Sequence, residues 1–261
     1  MQTIAIANHK GGVGKTATTH ALGTALGLLG RRVLLIDIDP QSSLTMATGV
    51  TSAAGESMAE VMGDVSPGTT KLSDILVDVG DEGATVHLAP ADIALAPNEL
   101  GLTQRYGREA ILATALDVVR DYYDVCLIDC PPSLGLLTVN ALRAATAVII
   151  ATQPQISDLR GLVLFLDTID QVKQQINPHL KIAGILVTFA DGRLIHHQDA
   201  ISVMNDQNLP LFETTIGRSV RVAEAAAAGE SIVTYDPDNP QATNYKRLAK
   251  EVDQWLRNEQ R

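Results

Sequence analysis

Residues 10–16 read Lys-Gly-Gly-Val-Gly-Lys-Thr and follow the apolar run Thr3-Ile4-Ala5-Ile6-Ala7. Those residue types at that spacing can hold a chain of phosphates. Glycines permit a tight, partly left-handed turn, and the backbone N–H groups of Gly12, Val13 and Gly14 can then point inward at phosphate oxygens. Gly11 belongs to the same loop. Lys15 adds a point charge for β- and γ-phosphates, and Thr16 offers a hydroxyl to Mg²⁺. A helix starting at Lys15 and continuing through Ala17 sets the positive end of its dipole under the phosphates. The common pattern requires glycine at position 9, where this chain has His9, and a second lysine, Lys10, opens the loop instead. The plainer alternative is a glycine-rich turn with two solvated lysines. It leaves the strand–loop–helix order unexplained.

Acidic residues follow at two strand ends. The run Leu34-Leu35-Ile36-Asp37-Ile38-Asp39-Pro40-Gln41 ends a second apolar strand. Alternation puts Asp37 and Asp39 on one side, at the carboxyl edge where open α/β sheets bind ligands. Val125-Cys126-Leu127-Ile128-Asp129 then runs into Cys130-Pro131-Pro132-Ser133. An apolar strand ending in Asp is the second magnesium-site element of phosphate-loop enzymes, and Asp129 would hold the ion through water. The two prolines make a stiff turn able to register a γ-phosphate. Solvated aspartates capping a short helix at 42–47, and a polar strand cap, are the plainer readings.

The loop Lys-Gly-Gly-Val-Gly-Lys-Thr resembles the deviant phosphate-binding loop of the ParA/MinD family of ATPases. Asp-Ile-Asp-Pro-Gln resembles that family's first switch, and Asp129, Pro131, Pro132 and Ser133 match its second, Asp-x-Pro-Pro-Ser. The resemblance covers nearly the whole chain and is strongest at 2–48, 124–134 and 214–236. It implies ATP and Mg²⁺ as cofactors, and a catalytic set of Lys10, Lys15 and Asp39. Lys10 would reach across a dimer interface to the partner's nucleotide. Asp39 would orient the attacking water, and Asp37 would support the magnesium shell. Val187-Thr188-Phe189 falls where the adenine pocket is expected, and Asp236-Pro237 resembles a loop that closes over the base. Thr152-Gln153-Pro154-Gln155 stands where many members carry Val-Pro-x-Gln, so only strand and loop placement carries over.

The stretch Ile216-Gly217-Arg218-Ser219-Val220-Arg221-Val222-Ala223-Glu224-Ala225 resembles the family's Ile-Pro-Arg-x-Val-Arg-x-x-Glu-Ala, with Gly217 in place of proline. In DNA-binding members, arginines here and in an Asp-x-Arg segment, Asp191-Gly192-Arg193 in this chain, contact DNA backbone without sequence preference. The candidate patch is Arg193, Arg218, Arg221, Lys246, Arg247 and Lys250, flanked by His196 and His197. Ordinary solvated charges on helices are the alternative. The most similar members are the small ParA-type (Soj-like) ATPases without an added N-terminal DNA-reading domain. That implies an ATP-bound homodimer, nonspecific double-stranded DNA, a ParB-like stimulating protein, slow hydrolysis, and a cytoplasmic, nucleoid-associated place. The rivals are a MinD-like ATPase cycling on membrane, and a metabolic or metal-carrier ATPase.

These groups need a scaffold. The chain has 261 residues, 46% hydrophobic but only 3% aromatic, so the core is built from Ala, Val, Leu and Ile. That suits a buried parallel sheet covered by helices. Apolar runs at 2–8, 32–37, 85–89, 124–129, 147–152, 181–188 and 209–213 predict strands. Intervening patterns predict helices at Lys15–Leu29, 107–120, 134–143, 157–175, 194–206, 218–228 and 240–259. The expected fold is a doubly wound, mostly parallel α/β sheet in a single domain, 1–261. Gly30 is placed to cap the first helix, and Gly23 and Gly27 imply its close packing on the sheet. Thr51–Gly83 reads as a surface excursion with short helical pieces at Ser57–Met62 and Lys71–Val77. The final helix carries Leu248, Val252, Trp255 and Leu256 on one stripe, read as packing on the body, and its polar end weighs against a membrane anchor.

The net charge of −10 argues against nucleic acid unless basic groups are focused on one face. No apolar run approaches the length of a membrane span, and no signal peptide is visible. Cys126 and Cys130 are the only cysteines, which implies a reduced, cytosolic protein; their positions do not match the separated cysteine motifs of the nitrogenase iron protein.

Overall fold

A computed structural model describes residues 1–51, 56–63, 70–81 and 83–259. The elements in order are β1 (Gln2–Ala7), α1 (Lys15–Leu28), β2 (Val33–Asp37), α2 (Ser43–Ala47), α3 (Met58–Gly63), β3 (Val77–Asp78) and β4 (Val86–Ala89). Then come α4 (Leu95–Leu102), α5 (Ile111–Asp117), β5 (Val125–Asp129), α6 (Leu136–Ala144), β6 (Ala147–Thr152) and α7 (Ile156–Gln175). The chain continues through β7 (Lys181–Val187), α8 (Ile195–Asp206), α9 (Val220–Ala227), α10 (Ile232–Tyr235) and α11 (Pro240–Glu259).

The strands form one seven-stranded sheet in the order β3-β4-β2-β5-β1-β6-β7. All neighbours are parallel except β3, which runs antiparallel to β4. The central strands are apolar on both faces because helices cover both. One core lies under α3 to α7, and the other lies between the sheet, α1 and α11. Tight packing of α1 explains its glycines. A Cβ at Gly23 would meet Leu35 Cδ2 at 2.5 Å, and one at Gly27 would meet Val86 Cγ2 at 2.6 Å. Gly30, at φ 84°, donates to the Gly27 carbonyl at 2.8 Å and ends the helix. In α11, Leu248, Val252 and Leu256 are buried and Trp255 packs beside them, so the stripe faces the body.

Three expectations are corrected. Residues 209–213 are not a strand: a single bridge joins Leu211 to Ile185, because Pro210 removes a backbone donor where a ladder would continue. Lys71–Val77 is not an α-helix but a one-turn 3-10 helix at Leu72–Asp74 leading into β3. The surface excursion therefore supplies the sheet's edge strand. The helix expected over 107–120 is limited to Ile111–Asp117. Unforeseen is α4, whose Leu95 and Leu102 are buried. Parts of the excursion, 52–55, 64–69 and 82, and the last two residues, 260 and 261, lie outside the described residues. No helix among the described residues is long and apolar enough to cross a membrane.

Candidate functional site

The sheet order places β1 between β5 and β6, so the loop after β1 emerges at the centre of the carboxyl edge. Gly12 and Gly14 both take left-handed backbone angles, φ 71° and 82°, and Gly14 starts α1. A side chain at either position would be strained, which is why the loop is glycine-rich. Lys15 is 7% exposed and turns back into the loop, where its Nζ donates to the Lys10 carbonyl at 3.1 Å. Burial lowers its pKa, opposed chiefly by Asp129. A phosphate chain would supply negative charge that favours the ammonium.

The acidic groups converge on the same spot. Asp37 and Asp129 are register partners on β2 and β5. Thr16 Oγ1 donates to Asp129 Oδ2 at 2.7 Å, and Thr19 Oγ1 lies 3.4 Å from Asp129 Oδ1. Asp37 accepts the backbone N–H and hydroxyl of Thr45 at 2.9 and 2.8 Å, and the N–H of Asp39 at 3.1 Å. Burial pushes both carboxyls above the usual carboxylate range; the charge of Asp37 adds to the shift at Asp129, and the charge of Asp39 adds to both. A buried carboxylate pair with hydroxyls beside it is chemistry that a hard divalent cation fits. Thr16 and Asp129 would hold Mg²⁺, with Asp37 behind them; when bound, the ion neutralises charge on the β- and γ-phosphates. β2 stops at Asp37, so strict alternation does not extend to Asp39. That residue is half-buried at the edge, where its Oδ1 accepts from Gln41 N–H at 2.9 Å.

The second switch touches the loop directly: a Cβ on Gly11 would lie 3.6 Å from Pro132 Cβ. Cys126 and Cys130 are free and fully buried, and burial pushes both thiols up. Lys10 does not enter the loop with Lys15. Its Nζ pairs with Asp158 Oδ1 at 2.5 Å, at the start of α7.

A cavity of about 380 Å³ opens beside the loop. Gly14, Thr16 and Ala17 of the loop and α1 line it, together with Thr188, Phe189, Gly217, Val222 and the buried His20 and Tyr245. Thr188 and Phe189, from the segment expected at the base, line this cavity, whereas Val187 is buried in the sheet. Asp236 and Pro237 are not part of its lining, contrary to the expectation that they close over the base. The Asp236 carboxylate is held by Arg221 Nε at 2.9 Å and by Asn239, and Arg221 keeps its pKa low.

The basic candidates divide. Arg193 forks onto Asp191, which stays far below the usual carboxylate range. Arg221 pairs with Glu224 and Asp236 and lies over the Tyr235 ring. Arg218 is exposed and stacks over Phe189, 5.2 Å from the ring centre. Lys246, Arg247 and Lys250 lie along α11; none of these three forms an ion pair with another described residue. His197 is buried and accepts the Asp191 N–H on Nδ1, while His196 is exposed beside it.

Sequence reasoning missed Thr45, Asp158 and Gln153, whose Nε2 donates to the Gly12 carbonyl at 2.9 Å. Gln153 had a signal in its family-like strand end. Thr45 and Asp158 carried none, because each acquires its partner through long-range packing.

A family described as AAA domain matches residues 1–182. Soj of Bacillus subtilis, a sporulation initiation inhibitor protein, is 41% identical over 258 residues, covering 95% of this chain and 97% of its own. The chromosome partitioning protein ParA of Caulobacter vibrioides is 39% identical over 255 residues, covering 97% and 94%. Among solved structures, cobyrinic acid a,c-diamide synthase from Mycobacterium smegmatis superposes with a TM-score of 0.81 at 38% identity, covering 95% of this chain and 92% of that one. It is known with ADP and magnesium, and with an ATP analog and magnesium. Loop, switches, fold and relatives agree: the chain belongs to the ParA/MinD family of P-loop ATPases.

Proposed function

We propose that this protein is a single-domain, ATP-hydrolysing dimerisation switch that positions or segregates a cargo. The observation that carries the reading is the division of labour between its two loop lysines. Lys15 turns into its own loop, while Lys10 turns outward and is 39% exposed. Once released from Asp158, a lysine turned away from its own loop can reach a partner's phosphates. ATP and Mg²⁺ would join two subunits across this edge, with Lys10 reaching the opposite nucleotide. Asp39, free of the Thr45 network that ties down Asp37, orients the attacking water. The dimer would gather Arg218, Lys246, Arg247 and Lys250 with Arg193 and Arg221 into a surface for nonspecific duplex DNA, placing the protein on the nucleoid. A ParB-like protein would stimulate slow hydrolysis and release.

The test is retention on duplex DNA with ATP, ADP or no nucleotide, at low and moderate salt. Binding with ATP alone, weakened by salt, supports the switch; binding in no state sinks it, and liposomes with ATP then test the membrane alternative. A second reading follows from the similarity to the diamide synthase: ATP-driven activation of a carboxylate for amide formation. It predicts ATP consumption that depends on a corrinoid acid and an amide donor, with no response to DNA.

A further inference from the structure

The wall of the cavity beside the phosphate loop carries an imidazole that pairs with no other described residue. His20 is 8% exposed, lines this cavity, and its ring makes no hydrogen bond to another described residue. Burial lowers its pKa to about 4, so the imidazole is neutral and has one donor and one acceptor. Buried polar side chains are ordinarily paired, and an unpaired one calls for a partner. The lining around it is mostly apolar, with Ala17, Ala21, Val222 and Ala223; it also holds several hydroxyls and the Glu230 carboxylate, and the ring pairs with none of these.

Position on the helix says what fits. Thr16 and His20 are four residues apart, so they share a face of α1 and are separated by about 6 Å along its axis. Thr16 is at the phosphate end. A ligand anchored there by its phosphates reaches His20 after roughly one sugar. Phe189 adds a flat apolar ring to the lining, held at φ 51° against Gly14, a backbone angle a bulky residue adopts only under constraint.

We infer that His20 recognises the base of the bound nucleotide, giving and receiving hydrogen bonds at a purine edge in this cavity. This rests on the nucleotide reading above and adds a specificity residue to it. The neutral ring can present either polarity, depending on which nitrogen carries the proton, and a purine edge offers both. His20 thus acts on affinity for the nucleoside half of the ligand and not on the phosphates.

The experiment compares binding of ATP and of inorganic tripolyphosphate, each with Mg²⁺, to wild type, His20→Leu and His20→Gln by calorimetry. Wild type is expected to prefer ATP. His20→Leu should lose about fivefold to tenfold in ATP affinity with tripolyphosphate unchanged, and His20→Gln should recover part of it. Equal losses for both probes, or none for ATP, overturn the role of His20. If wild type binds both probes equally, the base does not occupy the cavity and the inference also falls. If wild type binds neither probe, it is the phosphate-site reading that fails.

Discussion

Lys10 and Asp158 form an ion pair that ties the phosphate loop to the first turn of α7, Nζ to Oδ1 at 2.5 Å. The carboxylate is 3% exposed and the lysine 39%. Asp158 also accepts from the Ser157 hydroxyl at 3.0 Å and sits at the positive end of the helix dipole. In the proposed dimer Lys10 must leave this partner, so the pair opposes dimerisation. Asp158→Asn should tighten ATP-dependent dimerisation about fivefold, roughly 1 kcal/mol for a pair with one solvated member. Sedimentation across protein concentrations measures it; an unchanged or weaker dimer contradicts the opposition.

Lys15 and Asp39 should separate binding from chemistry. Lys15→Ala is expected to weaken ATP binding by about 100-fold, since it removes a cation turned into the loop. Asp39→Ala should bind ATP within about threefold of wild type yet hydrolyse at least ~100-fold more slowly. Calorimetry and a phosphate-release assay read the two effects independently.

His20 should leave a mark on stability as well as on binding. Its folded pKa of about 4 lies below the unfolded value of 6.5, so the unfolded chain binds the extra proton first as pH falls. The neutral form costs nothing above pH 6.5; between 6.5 and 4 the native state loses up to about 3 kcal/mol relative to the unfolded one. Denaturant titrations over that window should therefore show a smaller loss for His20→Leu. Parallel curves for the two proteins would count against the burial-driven shift.

The basic residues should contribute unequally to DNA retention. Arg193 and Arg221 are already ion-paired with carboxylates, whereas Lys246 and Arg247 form no ion pair with another described residue. Lys246→Ala and Arg247→Ala should each reduce the slope of log affinity against log salt by about 1. Arg193→Ala should change it less. Equal slopes for all three variants would contradict this ordering.

The turn after α2 touches the turn after α9 through glycines. A Cβ on Gly229, at φ 76°, would lie 2.7 Å from Gly49 Cα. Gly229→Ala should cost about 2 kcal/mol, a fall in Tm of roughly 5 °C. Gly101→Ala, inside α4 with open space around it, should be neutral or slightly stabilising. Thermal scans of the two variants make the comparison.

The phosphate loop, both acidic strand ends and most parallel strands were legible in the amino-acid sequence because each is local. A glycine at φ 82° or a run such as Val125–Asp129 has its meaning within a few residues. The same locality misled at 209–213, where an apolar run lacks the pairing that makes a strand, and at Val77–Asp78, where two residues became an edge strand because β4 lay open. Tertiary structure alone decided what the charges face. It brought Asp158 to Lys10 across 148 positions, Thr45 to Asp37, and Asp236 to Arg221 instead of to the cavity beside the loop. Pairing of that kind depends on where helices dock on the sheet, which the summed packing of the whole core sets, and no short stretch of sequence carries it.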